Sequence, residues 1–247
     1  MGVEIYKNRD LKESGCDKVN FLYKEDKFYV MDNHLCAIWC WEQQINPENQ
    51  YGIFHIDRHY DLLNNLSDSF LEENRNAITG TSFENFLTVK GVSGIRFDNY
   101  IDSFNRLHTN MLSKAYYCTH KDGTDWYNTS LESVTLESQN VDIWDLPNNI
   151  DFWIDSSRRW IINIDIDFFF QVADEECYRF LTNQYIKNVC NSIKKVIDRI
   201  DVITIALSPE FCGGWNKSFE VLHILAKEFN IQFPFQYKKI HGESLLV

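Results

Sequence analysis

The sequence predicts an α/β protein in which helices cover both faces of a mainly parallel sheet. Apolar runs typical of buried strands alternate with stretches of helical periodicity, which is the pattern of βαβ units. The chain has 247 residues, of which 44% are hydrophobic, and this is enough for one large core without a second domain. We therefore expect a single three-layer α/β/α domain over residues 1–247.

Charge and cysteine usage narrow the classes of function. The 36 acidic and 24 basic residues give a net charge of −12, which argues against a nucleic-acid partner and fits a basic substrate or an ordinary acidic protein. Seven cysteines occur without a CxxC pair, so we expect reduced thiols and a cytoplasmic location. The sequence has no signal core and no uncharged apolar run of membrane-spanning length, so no membrane partner is expected.

Runs rich in β-branched and aromatic residues predict the strands, and apolar residues at helical spacing predict the helices. The predicted strands are residues 27–31, 51–56, 115–119, 160–164 and 202–207. The predicted helices are residues 33–44, 81–87, 100–112, 175–200 and 218–230. Ser82 is a candidate N-cap for the second of these helices. We expect residues 64–80 to form a loop and residues 121–150 to form an insertion over the site.

One stretch combines a buried strand with a row of metal-ligating side chains. The apolar run 51–56 leads directly into Asp57, His59 and Asp61. Side chains of an extended chain alternate between two faces, so these three would project to the same side. Two carboxylates and an imidazole at the end of a buried strand predict metal ligands.

Two further groups of potential ligands follow other predicted strands. Asp165 and Asp167 come after the apolar run 160–164 and precede three phenylalanines, so their carboxylates lie in apolar surroundings and need partners. His34 follows the strand 27–31. Because ligands of an open parallel sheet collect at the carboxyl ends of its strands, we predict that the three groups converge on one metal site.

The pattern DNH … HIDRHYD … NIDID … SPE resembles the arginase and ureohydrolase superfamily, which shares its fold with the histone deacetylases. By that resemblance, one ion would be held by His34, Asp57, Asp61 and Asp165. The second would be held by Asp57, His59, Asp165 and Asp167, with Asp57 and Asp165 bridging. The compact length, the Asp-Asn-His motif and Ser-Pro-Glu-Phe are similar to the peptide arginases, which convert arginine in ribosomally made natural-product precursors to ornithine.

The residue types agree with that chemistry. Oxygen-rich ligation with one imidazole per ion suits Mn²⁺ better than Zn²⁺, so we expect two Mn²⁺ per chain. Two ions that share a water lower its pKa, and the resulting metal-bridging hydroxide can attack the planar guanidinium carbon. Glu210 follows the strand 202–207 and could bind the guanidinium through two hydrogen bonds, the role that the resemblance implies. Asp61 is a candidate catalytic residue as well as a ligand.

Two features of arginases have no clear counterpart. A proton-shuttling histidine is expected in the loop after the first motif, but residues 79–81 are Thr-Gly-Thr, so His108 or His120 could substitute. Asn64 lies near the place where the polar ends of free arginine would bind, although its spacing is not diagnostic. The lack of further such residues favours arginine within a precursor peptide, converted to ornithine and urea.

Three alternatives stay open at the level of sequence. The first is a free small-molecule ureohydrolase of the arginase or agmatinase type. The second is a one-metal deacetylase-like hydrolase using Asp57, His59 and Asp165, which would lack the paired histidines of deacetylases and leave Asp61 without a purpose. The third is a non-catalytic peptide-binding module, against which the full set of mutually repelling carboxylates argues. The oligomeric state does not follow from the sequence.

Overall fold

The computed structural model describes residues 2–8, 11, 13–121, 137–240 and 243–246. Its strands are β1 Val3–Lys7, β2 Phe21–Glu25, β3 Phe28–Met31, β4 Tyr51–Ile56, β5 Leu112–Cys118, β6 Glu137–Asn140, β7 Arg159–Asp165, β8 Phe170–Ala173, β9 Glu176–Arg179, β10 Ile200–Ala206, β11 Tyr237–Ile240 and β12 Glu243–Leu246. Its helices are α1 Ala37–Glu42, α2 Asp68–Glu73, α3 Arg75–Thr79, α4 Phe83–Phe86, α5 Tyr100–Leu107, α6 Leu146–Trp153, α7 Asn183–Lys195, α8 Pro209–Cys212 and α9 Trp215–Phe229.

Eight strands form one central sheet in the order β1-β2-β3-β10-β7-β4-β5-β6. The six strands from β3 to β6 pair in parallel. Only the edge strands β1 and β2 run antiparallel to their neighbours. Two hairpins, β8 with β9 and β11 with β12, lie outside this sheet. The sheet thus has the mainly parallel character that the sequence predicts.

Side chains of the central strands alternate between two apolar cores, one on each face of the sheet. In β4, Phe54 and Ile56 belong to the core formed with α6, α7 and α9. Tyr51 and Ile53 belong to the core formed with α1 to α5. Strands buried on both faces read as continuous apolar runs, which explains the sequence YGIFHI. The expected three-layer α/β/α architecture is confirmed.

Several predicted elements are confirmed with small shifts of their ends. All five predicted strands are present, as β3, β4, β5, β7 and β10. Ser82 caps α4, since its hydroxyl accepts a hydrogen bond from the Asn85 amide. The predicted helix 33–44 begins with a single 3-10 turn at His34–Cys36 before α1.

Two predictions are wrong for identifiable reasons. Residues 64–80 form α2 and α3 instead of a loop, and Ser67 caps the first of them through the Phe70 amide. The predicted helix 175–200 begins only at Asn183, because residues 170–179 form a hairpin whose turn has positive φ at Asp174 and Glu175. A tight two-residue hairpin turn requires positive φ at both of its central residues. The spacing of apolar residues in the sequence does not reveal this turn.

Half of the proposed insertion at 121–150 falls on undescribed residues, because 122–136 lie outside the described part of the chain. Its remainder contains β6, which extends the parallel sheet, and the first five residues of α6. These two elements are parts of the fold itself. In the described ranges, no helix is both long and apolar enough to cross a bilayer.

Gly52 in β4 generates a test of the packing between strands. Its register partner in β7 is Trp160, and a Cβ on Gly52 would lie 2.4 Å from the indole ring. Because both strands are fixed by their neighbours, we expect Gly52→Ala to lower the free energy of unfolding by about 1–3 kcal/mol, measured by urea denaturation. In Gly15→Ala the new Cβ would meet only the flexible Lys18 side chain at 3.6 Å. Equal stability of both variants would contradict this packing.

Candidate metal centre

The first group of potential ligands is positioned by a turn and not by an extended strand. Strand β4 ends at Ile56, and the Asp57 amide still donates to the Cys118 carbonyl at 3.2 Å. The backbone then bends, and Asp61 adopts a left-handed conformation with φ of 53°. The prediction that an extended strand places these three side chains on one face is therefore wrong. The three side chains nevertheless turn to one side, because the Asp57 carboxylate accepts the His59 amide at 2.7 Å.

The second group uses a different local device. Asp165 is the last residue of β7, and its Oδ1 accepts the Asp167 amide at 3.0 Å. This bond caps a 3-10 turn at Ile166–Phe169, which places both carboxylates at the carboxyl end of the strand. His34 opens the 3-10 turn after β3, where Asn33 caps the turn through the Leu35 amide.

His34 is the centre of the first cluster of ligand atoms. Its Nδ1 lies 3.2 Å from Asp57 Oδ2, 3.4 Å from Asp61 Oδ2 and 3.1 Å from Asp165 Oδ2. All four residues are buried. This is the set that the superfamily resemblance implies for one ion, and the structure brings all of it together.

His59 is the centre of the second cluster. Its Nδ1 lies 3.1 Å from Asp167 Oδ2 and 3.5 Å from Asp57 Oδ1. Asp57 therefore turns one oxygen towards each histidine, as a bridging carboxylate would. Asp165 contributes Oδ2 to the first cluster, while its Oδ1 is bonded to the Asp167 amide. The six residues converge, and their roles as ligands stay predictions.

Unpartnered atoms indicate that the clusters suit a divalent cation. In the described part of the chain, both ring nitrogens of His34, Oδ2 of Asp57 and Oδ2 of Asp167 are buried without a hydrogen-bond partner. Burying such carboxylates without compensation is unfavourable. Atoms of His34, Asp57 and Asp165, and likewise of Asp57, His59 and Asp167, lie within 4.8 Å of one another. Oxygen-rich donors of this kind favour a hard cation such as Mn²⁺ or Mg²⁺.

The charges of the site shift its pKa values strongly. Burial alone would lower the pKa of His34, but Asp165, Asp57 and Asp61 together raise it well above its ordinary value. Burial likewise opposes charge on His59, yet the nearby carboxylates of Asp167 and Asp57 raise the pKa of this imidazole to about 11. Burial and the charge of Asp57 raise the pKa of Asp61 to about 8.

The pKa values of Asp167 and Asp57 shift in opposite directions. Burial, Asp165 and Asp57 raise the pKa of Asp167 well above its ordinary value. Burial also opposes ionisation of Asp57, but His55, His34 and His59 lower its pKa well below the ordinary value. Without a metal, protons on the imidazoles and on two carboxyls thus balance the site. A divalent cation bound here would replace these protons.

Glu210 lies in α8, directly after β10, close enough to the site to feel its charge. The residue is exposed, yet desolvation of its carboxyl raises the pKa to about 7, and the charge of Asp165 adds to the rise. Phe211 follows, with its ring centroid 4.9 Å from that of His59 and 5.8 Å from that of Phe97. His59, whose side chain is partly exposed, thus lies beside an aromatic pair.

The structure separates the two proposed proton donors. His120 follows β5 at the same edge as the metal centre, where its amide donates to the Arg58 carbonyl at 3.2 Å and Nε2 lies 2.9 Å from the Phe168 carbonyl. His108 precedes β5 at the opposite edge of the sheet, with Nε2 2.5 Å from Glu42. The structure does not bring His108 to the site. Asn64 is exposed, and its side chain accepts a hydrogen bond from Arg106 at 3.1 Å.

Three polar residues contribute to the site although the sequence predicted no role for them. Ser208 has a left-handed backbone with φ of 39°, and its hydroxyl donates to Asp165 Oδ2 at 2.5 Å. Asn163 and Tyr100 are bonded to each other beneath the site at 2.9 Å. The available signal for Asn163 was its position as the one polar residue in the apolar run WIINI.

No model of a known protein family and no curated protein sequence matches this chain. Among solved structures, Entamoeba histolytica arginase in complex with L-ornithine gives a TM-score of 0.47 at 11% identity, covering 82% of this chain and 68% of that chain. Bacillus cereus arginase gives 0.45 at 11% identity, covering 83% and 71%. The agmatine ureohydrolase of Thermoplasma volcanium gives 0.43 at 13% identity, covering 81% and 61%. The function is therefore inferred from the side chains of the site.

Loss of the shared ligand is the direct test of the metal centre. Because each oxygen of Asp57 faces a different cluster, we expect Asp57→Asn to lose both ions. Asp165→Asn should lose metal as well. Both effects should exceed the ~10–100-fold loss of affinity typical of residues outside the ligand shell. The measurement is metal content after dialysis against Mn²⁺. Asp145→Asn, an exposed residue whose side chain makes no capping bond, is the matched control. If Asp57→Asn retains two ions, Asp57 is not a ligand shared by both clusters.

Metal affinity should also depend on pH with a defined sign. Raised pKa values of His59 and Asp61, about 11 and about 8, mean that both hold protons at pH 7 before metal binds. Mn²⁺ must displace these protons, so its apparent affinity should rise from pH 6 to pH 8. Calorimetry in buffers of different ionisation enthalpy would count the protons released. Affinity that is flat over this range would contradict the assignment.

Proposed function

We propose that this chain is a dinuclear metal hydrolase of guanidinium groups, and that it converts arginine in a peptide to ornithine and urea. The observation that carries the proposal is the pair of buried clusters around His34 and His59 that share Asp57. The motif resemblance to ureohydrolases supports the same reading. Two Mn²⁺ ions, when bound there, would supply a strong nucleophile near neutral pH by lowering the pKa of water.

The protein's own groups would bind and orient a cationic substrate. A carboxylate at Glu210 can accept two parallel N–H bonds from a guanidinium, which fixes the orientation of its planar carbon. The rings of Phe211 and Phe97, in contact beside His59, offer apolar surface to the methylene chain. The net charge of −12 favours approach of a cation.

Two groups near the site are suited to handle a proton. Asp61 would lose its proton when metal binds, and its carboxylate could then accept a proton from water and return it to a departing amine. His120 lies at the same edge of the sheet, so it is retained as the second candidate donor. Its position beside Arg58 links it to the turn that carries the ligands.

We propose peptidyl arginine, and not free arginine, as the substrate. Free arginine carries a charged amino group and a carboxylate that need polar partners, and Asn64 is the residue named for that task. Its amide oxygen is bonded to Arg106 at 3.1 Å. An arginine inside a peptide has neither charge. We therefore propose an arginine-containing precursor peptide as the partner, modified in the cytoplasm.

The alternatives make different demands on the site. A free ureohydrolase of the arginase or agmatinase type would use the same metal centre. A one-metal deacetylase-like enzyme would need only one of the clusters, and the shared position of Asp57 speaks for two. A non-catalytic peptide-binding module would gain nothing from several buried carboxylates in mutual repulsion.

Urea release from matched substrates tests the proposal. The Mn²⁺-loaded protein should release urea from a peptide with an internal arginine, and the peptide should lose the mass of one cyanamide unit. Free arginine and agmatine at the same concentration should give at least about tenfold less, since a charged group bound without a partner typically costs at least that much in binding. Asp57→Asn is the inactive control. Release from free arginine alone would overturn the peptide preference, and release from neither would overturn the guanidinium hydrolase.

Substitution of Glu210 tests the substrate-binding role. Loss of the charged fork in Glu210→Gln should raise KM for the arginine substrate by about tenfold or more, with metal content unchanged. Protonation of a group whose pKa is about 7 removes its charge, so KM of the unmodified protein should rise as pH falls from 8 to 6. KM of the variant should lack this component. Glu220→Gln, an exposed α9 residue, is the control, and an unchanged KM in Glu210→Gln would exclude the role.

A further inference from the structure

His55 belongs to a third group of residues with metal-ligand spacing. Its ring lies with Asp57 and Asp61 so that one atom of each falls within 4.8 Å of the others. The residue is fully buried in β4, and Nε2 lies 3.5 Å from Asp57 Oδ2. Spacing therefore allows two roles, a further ligand or a support for the ligands. The position of the Nε2 proton decides between them.

A chain of buried hydrogen bonds fixes that proton, starting at Trp41. An indole N–H can only donate, so Trp41 Nε1 donates to Thr204 Oγ1 at 3.2 Å. The Thr204 hydroxyl then directs its own proton to an acceptor. Its shortest contact is Asn163 Oδ1 at 2.6 Å. The side-chain oxygen of Asn163 therefore faces Thr204, and its amide nitrogen faces the other way.

The amide nitrogen of Asn163 has two protons and two acceptors. It donates to Tyr100 Oη and to His55 Nδ1, both at 2.9 Å. Because an amide nitrogen cannot accept, His55 Nδ1 is the unprotonated nitrogen of a neutral ring. The proton is then on Nε2, which donates to the His59 carbonyl at 3.0 Å. A nitrogen that carries a proton cannot bind a metal ion.

We infer that His55 is a positioning residue, which holds the His59 carbonyl through Nε2–H, and that it is not a metal ligand. The His59 peptide lies in the turn between Asp57 and Asp61, so this bond fixes the backbone that presents three ligands. The inference deepens the proposed function and rests on its metal centre, but the tautomer of His55 stands independently of any metal.

The sheet gives the chain its rigidity. His55, Asn163 and Thr204 are register partners on the adjacent strands β4, β7 and β10. Trp41 and Tyr100 close the row from α1 and α5 on the same face. The polar row therefore runs across three parallel strands directly beneath the metal centre. His55 is the member of this row whose side chain hydrogen-bonds to a predicted ligand, His59, and the fold sets the order of the other members.

Two substitutions of His55 separate the roles. The amide nitrogen of Gln reaches the place of Nε2 and can still donate to the His59 carbonyl, whereas Asn is too short to do so. For a positioning residue, we expect His55→Gln to keep both ions with Mn²⁺ affinity within about threefold, and His55→Asn to lose about 10–100-fold. Circular dichroism confirms folding of each variant. For a ligand, both variants would lose an ion alike, and that result would overturn the inference.

The tautomer provides a readout that does not depend on metal binding or activity. ¹⁵N NMR of the metal-free protein should show His55 neutral with the proton on Nε2. On loading with diamagnetic Zn²⁺ in place of Mn²⁺, that proton should persist. A proton on Nδ1, or loss of the Nε2 proton on loading, would overturn the inference. If the protein binds no metal, the proposed function fails, while the metal-free spectrum still tests the bond from His55.

Discussion

Buried negative charge at one edge of the sheet is the constraint on which the rest of the structure depends. Asp57, Asp165 and Asp167 lie in contact distance of two histidines and are nearly inaccessible to water. Carboxylates so placed repel one another and lose hydration, which is costly unless cations or protons compensate. A divalent cation would compensate the charge of this site in place of protons.

The parallel sheet is what holds the charges together. Neighbouring strands lie about 4.8 Å apart, close to the separation of ligands around a pair of ions, so β7 and β4 bring Asp165 and Asp57 to one place. Apolar cores on both faces fix the strand ends. The left-handed backbones of Asp61 and Ser208 are unfavourable for such residues, and the surrounding structure holds them in that conformation.

Polar residues beneath the site order its backbone, and aromatic residues beside it provide apolar surface. The row through Asn163 and His55 crosses the sheet as hydrogen-bonded neutral groups, which orders the turn without adding charge. Beside His59, Phe211 and Phe97 face each other edge to face, and the neighbouring Glu210 has a carboxyl whose pKa is raised to about 7. A cationic head group on an apolar stem complements this combination, and the proposed arginine side chain has both parts.

The sequence alone determined the α/β class, the central strands and which residues converge at the candidate metal centre, because buried parallel strands appear as apolar runs and polar residues that follow those runs meet at one edge of the sheet. It misplaced the α2–α3 segment and the hairpin before α7, since capping and positive-φ turns outweigh periodicity there. Only the tertiary structure decided three further points. It places His108 at the opposite edge of the sheet and hydrogen-bonds Asn64 to Arg106. It also directs the two oxygens of Asp57 to different clusters. Distances between side chains on different strands depend on register and turn geometry, which no local pattern encodes.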